Sequence, residues 1–281
     1  MQYTRIAHER DLLEGLAEDG AHILCGGTDL LVKLRSGMIS PSLLLDVSDF
    51  EDLRGMVTQP EALFIGAATP LSDVLAHDTV RAEFPLLASA LEVLGSVQIR
   101  NRGSIGGNLV NASPAADSAI PLLLYDAEIH LVGTNASRWL ELGSFLVAPG
   151  KTLLDKGEYV REIRIPRAEH PGTPFFHKIG KRRALTISIA SIGTLARFED
   201  GHLLEFRVAA GSVAPVPMRL PRVEQLLASR ALTPELIEQA RCVAAESVSP
   251  IDDVRASAAY RRAVVGDLVA RSLERLLPGH A

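Results

Sequence analysis

The chain has 281 residues and a formal net charge of −5, which excludes a generic attraction to nucleic acid. Apolar residues make up 47% of it and charged residues 22%, as in soluble globular proteins that hold one large or two medium domains. No apolar run approaches the roughly 20 residues that span a bilayer. The N-terminus also has no signal-peptide core. We therefore expect no membrane span and a cytoplasmic location.

The first half of the chain alternates helical spacing with short apolar strands. The spacing of Leu12, Leu13 and Leu16 predicts a helix over 9–19. A second helix is predicted to begin with Thr28 as its N-cap and to reach Arg35. The remaining expectations are strands at 23–25, 43–47 and 63–67 and a helix over 79–94. This alternation indicates an α/β or α+β fold.

The second half has longer strands and then helices. Strands are expected at 127–132 and 160–165 with a long loop between them, and then at 175–179, 188–198 and 203–211. Helical patterns follow near 221–228, 234–247 and 257–277. A Pro/Gly-rich join near 166–174 predicts two domains, 1–170 and 171–281, the second with a three-stranded sheet and helices.

The sequence contains few residues in a pattern that would bind a metal ion. The two cysteines, Cys25 and Cys242, form no CxxC pattern, whereas iron–sulfur and structural zinc sites usually need three or four ligands. The histidines are scattered, and neither a GxGxxG fingerprint nor a complete P-loop occurs. We therefore expect no metal site, and a redox function would need an organic cofactor.

Two glycine-rich turns are the candidate binding features. The first is Leu-Cys-Gly-Gly-Thr-Asp-Leu at 24–30, between a strand and a helix start, and the second lies within Ile-Arg-Asn-Arg-Gly-Ser-Ile-Gly-Gly-Asn-Leu at 99–109. Glycine lets backbone N–H groups converge on a ligand, and such nests favour anions. Two of them could grip a diphosphate from opposite sides. The alternative is that each Gly-Gly pair only makes a tight turn.

These two motifs, the second continuing to Ala-Ser-Pro-Ala-Ala-Asp at 112–117, resemble those of the FAD-binding medium subunits of the xanthine dehydrogenase and carbon monoxide dehydrogenase group. The resemblance covers the whole chain. It implies an α+β fold with a vanillyl-alcohol-oxidase-like (PCMH-type) FAD-binding domain of two subdomains, followed by the C-terminal domain. The implied cofactor is FAD.

The resemblance also implies site residues, none of them catalytic. Backbone N–H groups would wrap the FAD diphosphate at Leu24, Cys25, Gly26, Gly27, Thr28, Asp29, Leu30 and Leu31, and Ser104, Gly106, Gly107 and Asn108 would complete that cradle. Further contacts would come from Ala68, Thr69, Val110, Asp117, Val160 and Lys178. Asp117 would bond to the flavin or its ribityl chain, and Lys178 would stabilise the reduced flavin. The alternative for Lys178 is a solvated charge at a strand end.

The function implied is electron transfer within a heterotrimer, present in one or two copies. A molybdenum-cofactor large subunit would oxidise the substrate, a small [2Fe-2S] subunit would pass electrons to FAD, and an external acceptor would receive them. Two alternatives stay open: a self-contained flavin oxidoreductase with its own substrate site, and a scaffold that has lost its flavin. The sequence names neither the substrate nor the terminal acceptor.

Overall fold

The computed structural model describes residues 1–167, 172–181, 187–199 and 202–277 of an α+β protein. The helices are α1 Glu9–Leu16, α2 Leu30–Arg35, α3 Leu71–Ala76, α4 Asp78–Glu83, α5 Pro85–Glu92, α6 Val97–Arg102, α7 Ile105–Val110, α8 Ala119–Leu124, α9 Leu142–Phe145, α10 Pro221–Leu227, α11 Pro234–Glu246 and α12 Ala258–Glu274. The strands are β1 Gln2–Arg5, β2 Ala21–Leu24, β3 Leu43–Asp46, β4 Met56–Thr58, β5 Ala62–Gly66, β6 Glu128–Val132, β7 Ser137–Glu141, β8 Leu146–Ala148, β9 Lys151–Thr152, β10 Tyr159–Pro166, β11 Thr173–Ile179, β12 Ala190–Glu199, β13 His202–Gly211, β14 Met218–Arg219 and β15 Arg230–Ala231.

The chain forms two compact units, and each is built from separate stretches of sequence. The first comprises Met1–Thr79, Ser96–Ala112 and Asp126–Pro166, and the second comprises Val80–Gly95, Ser113–Tyr125 and Arg167–Ala281. The expected domain boundary between 170 and 171 lies outside the described residues, and that division remains a prediction.

The first unit contains two separate sheets. The parallel sheet β1-β3-β2 is short, and its central strand is buried along Leu43–Leu45. Leu43 and Leu45 share one core with Leu12 and Leu16 of α1. The second sheet has the order β4-β5-β10-β6-β7, and all of its neighbours are antiparallel. A small hairpin, β8–β9, completes the strands of this unit. The turns that follow β2 and β5 lead into the site described below.

The second unit is an antiparallel sheet, β11-β12-β13-β14, with β15 added beside β13. Apolar side chains of the two ten-residue strands pack with helices α10 to α12 into one core. Helix α8 also packs on the sheet, where Gly193 leaves room for Ile120; a Cβ at Gly193 would lie 2.8 Å from Ile120 Cγ2.

Four sequence expectations differ from the structure. The helix expected over 79–94 is two helices, α4 and α5, because Pro85 removes a backbone donor and forces Phe84 out of helical geometry. The loop expected between 132 and 160 contains β7, α9, β8 and β9. The sheet of the second unit contains two short strands of two residues each, β14 and β15, in addition to the three long strands that were expected. Thr28 is not an N-cap, since α2 begins after Asp29 and no side chain caps it.

None of the helices in the described ranges combines the length and the hydrophobicity that a bilayer-spanning helix needs. Within those same ranges, no group of three or more His, Cys, Asp or Glu side chains is placed to hold a metal ion.

Candidate functional site

Three turns from distant parts of the sequence meet in the first unit. The turn after β2, residues 25–29 and called the first turn below, packs against the residues just before α7. A Cβ on Gly26 would lie 1.9 Å from the carbonyl oxygen of Arg102, so only glycine fits there. The turn after β5 joins the same place, because the amide of Ile105 donates to Thr69 O at 3.0 Å. The fold thus brings together both glycine motifs.

The first turn carries amides that are not used inside the protein. Gly27 has a φ of 71°, the left-handed conformation that glycine adopts without strain. Among the described residues, no hydrogen-bond acceptor is found for the backbone N–H groups of Gly27, Thr28 and Asp29. Three consecutive free donors of this kind form a nest suited to an anion.

The second turn, residues 103–108, differs from our expectation of free amides at both turns. The amide of Gly106 donates to Ala67 O at 2.9 Å, and that of Gly107 donates to Ser104 Oγ at 3.1 Å. The amide of Asn108 donates to Ser104 O at 3.0 Å. These donors are occupied because Ser104 caps α7 and because the turn after β5 pairs with it.

The second turn allows a ligand to approach its backbone closely. A Cβ on Gly106 would lie 2.6 Å from Ala67 Cβ, so that glycine is required by packing within the unit. Gly107 is exposed, and outside its own helix backbone a Cβ there would meet, among the described residues, Ser104 Oγ alone, at 2.9 Å. A ligand held by the first turn can therefore lie against the bare backbone of Gly107.

The other predicted residues of this unit lie around these turns. Ala68 and Thr69 are buried, and the thiol of Cys25 lies 3.9 Å from Ala68 O. Burial raises the pKa of this thiol, as expected for a packing residue. Leu24 ends β2, Leu30 and Leu31 open α2, and Val110 ends α7, all of them half-buried. Val160 is buried in β10, next to Arg161, whose carbonyl accepts from the amide of Ala67 at 3.0 Å.

Asp117 and Lys178 form a buried ion pair within the second unit. Their side chains are 4% and 9% exposed, and Lys178 Nζ lies 2.6 Å from Asp117 Oδ2. The ammonium also donates to Val93 O at 3.2 Å. Lys178 is therefore not the solvated strand-end charge of the alternative interpretation.

This pair keeps unused hydrogen-bonding capacity. Burial raises the pKa of Asp117 to about 6, while the charge and the hydrogen bond of Lys178 act in the opposite direction. Asp117 Oδ1 is buried and has no hydrogen-bond partner, and one N–H of the ammonium has none in the described part of the chain. A free acceptor beside a free donor matches an amide-like edge, in which N–H and C=O lie side by side.

One side-chain bridge near the first turn was not anticipated from the sequence. Lys33 Nζ donates to Asn111 Oδ1 at 2.6 Å, and Asn111 Nδ2 donates to Asp29 Oδ1 at 3.2 Å. Lys33 and Asn111 are 78 residues apart in the sequence. Nothing in the local pattern pairs them.

Known families and proteins match the chain over nearly its whole length. Residues 1–168 match the model of the FAD binding domain in molybdopterin dehydrogenase, and residues 175–276 match that of the CO dehydrogenase flavoprotein C-terminal domain. The carbon monoxide dehydrogenase medium chain of Hydrogenophaga pseudoflava is 31% identical, covering 93% of this chain and 91% of its own length. The glyceraldehyde dehydrogenase medium chain of Sulfolobus acidocaldarius is 30% identical, covering 98% and 97%.

A solved structure shows the same likeness. A chain of carbon monoxide dehydrogenase from Hydrogenophaga pseudoflava superposes with a TM-score of 0.93 at 29% identity, covering 98% of this chain and 96% of that one. The xanthine dehydrogenase FAD-binding subunit of Escherichia coli O157:H7 is 30% identical over 92% of this chain and 90% of its own length.

Proposed function

We propose an electron-transfer role for this chain, which belongs to the molybdopterin dehydrogenase FAD-binding family and is an FAD-dependent oxidoreductase subunit. In this role it receives electrons from a [2Fe-2S] partner and delivers them to an external acceptor. Bound FAD supplies the redox chemistry, because it can exchange electrons with donors and acceptors of different kinds. The residues of the chain bind, orient and shield the cofactor.

The observation that carries the proposal is the set of three amides, at Gly27, Thr28 and Asp29, that have no acceptor in the described part of the chain. These donors fit the oxygens of the FAD diphosphate, and they add no charge that would have to be desolvated. The exposed backbone of Gly107 allows the diphosphate to approach without meeting a side chain. The occupied amides of 106–108 keep the second turn rigid, so that it acts as a surface.

Asp117 and Lys178 remain predicted contacts of the flavin ring. The support lies in their own unit, where the free Oδ1 and the free ammonium N–H match the imide edge of the flavin pyrimidine ring. A fixed ammonium at that edge would favour negative charge on the ring. Ser104, Asn108, Val110 and Val160 remain predicted contacts as well.

The finer features of the assembly belong to the same proposal. We place the chain in a cytoplasmic heterotrimer, single or doubled, with a molybdenum-cofactor large subunit and a small [2Fe-2S] subunit. Residues 1–170 would be the PCMH-type FAD domain, and the two separate sheets of the first unit would be its two subdomains. Residues 171–281 would be the C-terminal domain.

The test begins with the full chain purified from its native host with a C-terminal tag. We expect FAD, iron and molybdenum to be retained together, and we expect reduction of the flavin by substrate to require the partner subunits. A chain that carries FAD alone and oxidises a small organic substrate without partners would establish the self-contained oxidoreductase instead. A colourless chain that takes up no added FAD would leave only the scaffold alternative.

A further inference from the structure

The first turn and α7 lie beside each other, and contacts join them at both ends. At one end, Gly26 packs against the backbone of Arg102, just before α7 begins. At the other end, Asp29 and Lys33 contact Asn111, the residue that follows α7. The unpartnered amides of 27–29 and the exposed Gly107 lie between these two contacts. The bridge Lys33–Asn111–Asp29 therefore closes one end of the predicted diphosphate site.

Helix geometry places this bridge on the same side of α7 as Gly107. The amide of Asn111 donates to Gly107 O at 3.0 Å, so the two residues are related as i and i+4. Such residues lie on one face, separated by about 6 Å along the axis. The ammonium of Lys33, which lies at Asn111, can therefore reach a ligand bound at Gly107.

Lys33 has donors to spare. Its ammonium has three N–H groups, and one of them donates to Asn111 Oδ1. Within the described part of the chain the other two have no acceptor. Lys33 is half-buried, so its charge is only partly screened by water. The diphosphate of FAD carries about two negative charges, and the nearby Asp29 carboxylate would oppose their binding unless a cation were present.

We propose that Lys33 is a ligand of the FAD diphosphate and that Asn111 is the residue that positions its ammonium. The inference rests on the proposed function. The neutral amides of the first turn orient the phosphates, while Lys33 supplies the positive charge. Asn111 holds the ammonium with its carbonyl and the Asp29 carboxylate with its NH₂ group, which keeps the carboxylate from pairing with Lys33.

The experiment measures binding of FAD and of ADP to the flavin-depleted full chain by titration calorimetry at low and high salt. ADP carries the diphosphate without the flavin, so it reports on this end of the site alone. We expect Lys33→Met to weaken both ligands about tenfold at low salt, the effect of one charge-assisted hydrogen bond. The difference from the wild type should shrink as salt rises, because screening weakens the ammonium's attraction.

Two further variants separate binding from structure. Lys33→Arg keeps the charge and should retain the affinity for both ligands within about threefold. Asn111→Ala removes the hydrogen bond that positions the Lys33 ammonium and should lower the affinity for ADP by about threefold. The matched control is Lys156→Met, which removes an exposed lysine of the same unit that pairs with Asp19. It should leave both affinities unchanged.

Equal ADP affinity in the wild type and Lys33→Met would overturn the inference. A loss that does not vary with salt, or an equal loss in Lys156→Met, would do the same. A wild-type chain that binds no FAD would instead contradict the proposed function, so the two failures can be told apart.

Discussion

Replacing Gly107 by valine tests whether its exposed backbone is a contact surface for FAD. The backbone of Gly107 has no positive φ, so an L-residue can adopt its conformation. Apart from its own helix backbone and chain neighbours, the added Cβ would meet one atom of the described residues within 4 Å, Ser104 Oγ at 2.9 Å. The fold therefore loses at most the bond from the Gly107 amide to Ser104 Oγ, which caps α7. Loss of a helix cap costs about 1 kcal/mol.

The expected effect on the fold is small and the effect on the cofactor is large. A loss of about 1 kcal/mol lowers the melting temperature by roughly 2–4 °C in a protein of this size. The valine methyl groups, however, occupy the space where the diphosphate must approach the backbone. Steric overlap of this kind costs about 1–3 kcal/mol, and the displaced phosphate also loses amide bonds. FAD affinity should thus fall by more than about 100-fold.

The assay combines flavin absorbance of the purified protein, FAD titration of the depleted chain and thermal melting. Gly107→Ala, with a single added methyl group, should fall between the wild type and the valine variant. Ser257→Ala is the stability control, because Ser257 caps α12 through the same type of bond, to the amide of Tyr260 at 3.2 Å. It should lose similar stability and keep its FAD. A valine variant that keeps stoichiometric FAD would refute the reasoning.

Three further predictions concern the second unit. Because the pKa of Asp117 is raised to about 6, the folded state holds the proton of this carboxyl more tightly than the unfolded state does. Its contribution to stability is therefore present below about pH 4 and is lost as pH rises through about 6. Asp117→Asn should remove this loss between pH 4.5 and 7 in urea unfolding, and an unchanged pH dependence in the variant would contradict the prediction. Lys178→Met should lower the free energy of unfolding by about 3 kcal/mol or more, because it leaves a buried carboxylate without its cation. The double variant Lys178→Met/Asp117→Asn should recover part of that loss, whereas additive losses in urea unfolding would count against a coupled pair. Arg261 is 1% exposed and donates to Ile189 O, Ser212 O and Asp253 Oδ1, so Arg261→Met should cost about 3 kcal/mol or more, whereas the exposed neighbour Arg262→Met should change the free energy of unfolding by less than about 0.5 kcal/mol.

Elements with a strong hydrophobic pattern could be predicted from the sequence. Helices α1 and α12 and strands β12 and β13 lie where the spacing of apolar residues places them. The pattern failed over 79–94, where apolar positions continue helical spacing but Pro85 interrupts the backbone. It also failed for the short strands β7 to β9, because two to five residues carry too little periodicity to be recognised.

The pairing of distant side chains could not be read from the sequence. Lys178 at a strand end looks the same whether it is solvated or buried, and only the fold of the second unit places Asp117 at 2.6 Å from its ammonium. The bridge between Lys33 and Asn111 is of the same kind. Such contacts depend on how segments pack, whereas composition and spacing report only on local structure.

The two glycine turns show how similar sequences acquire different chemical roles. Both contain a Gly-Gly pair followed by a polar residue, and from the sequence alone the two pairs are expected to offer similar backbone donors. In the structure the first pair precedes α2, whereas the second lies in the first turn of α7. The amides of the second turn are taken by Ser104 and Ala67, because Ser104 caps its helix and a neighbouring turn pairs with it. In the described part of the chain, no acceptor of this kind meets the amides of Gly27, Thr28 and Asp29 in the first turn. Consequently, substitutions in the first turn should change hydrogen bonding to the diphosphate, whereas a side chain at Gly107 should act by steric exclusion.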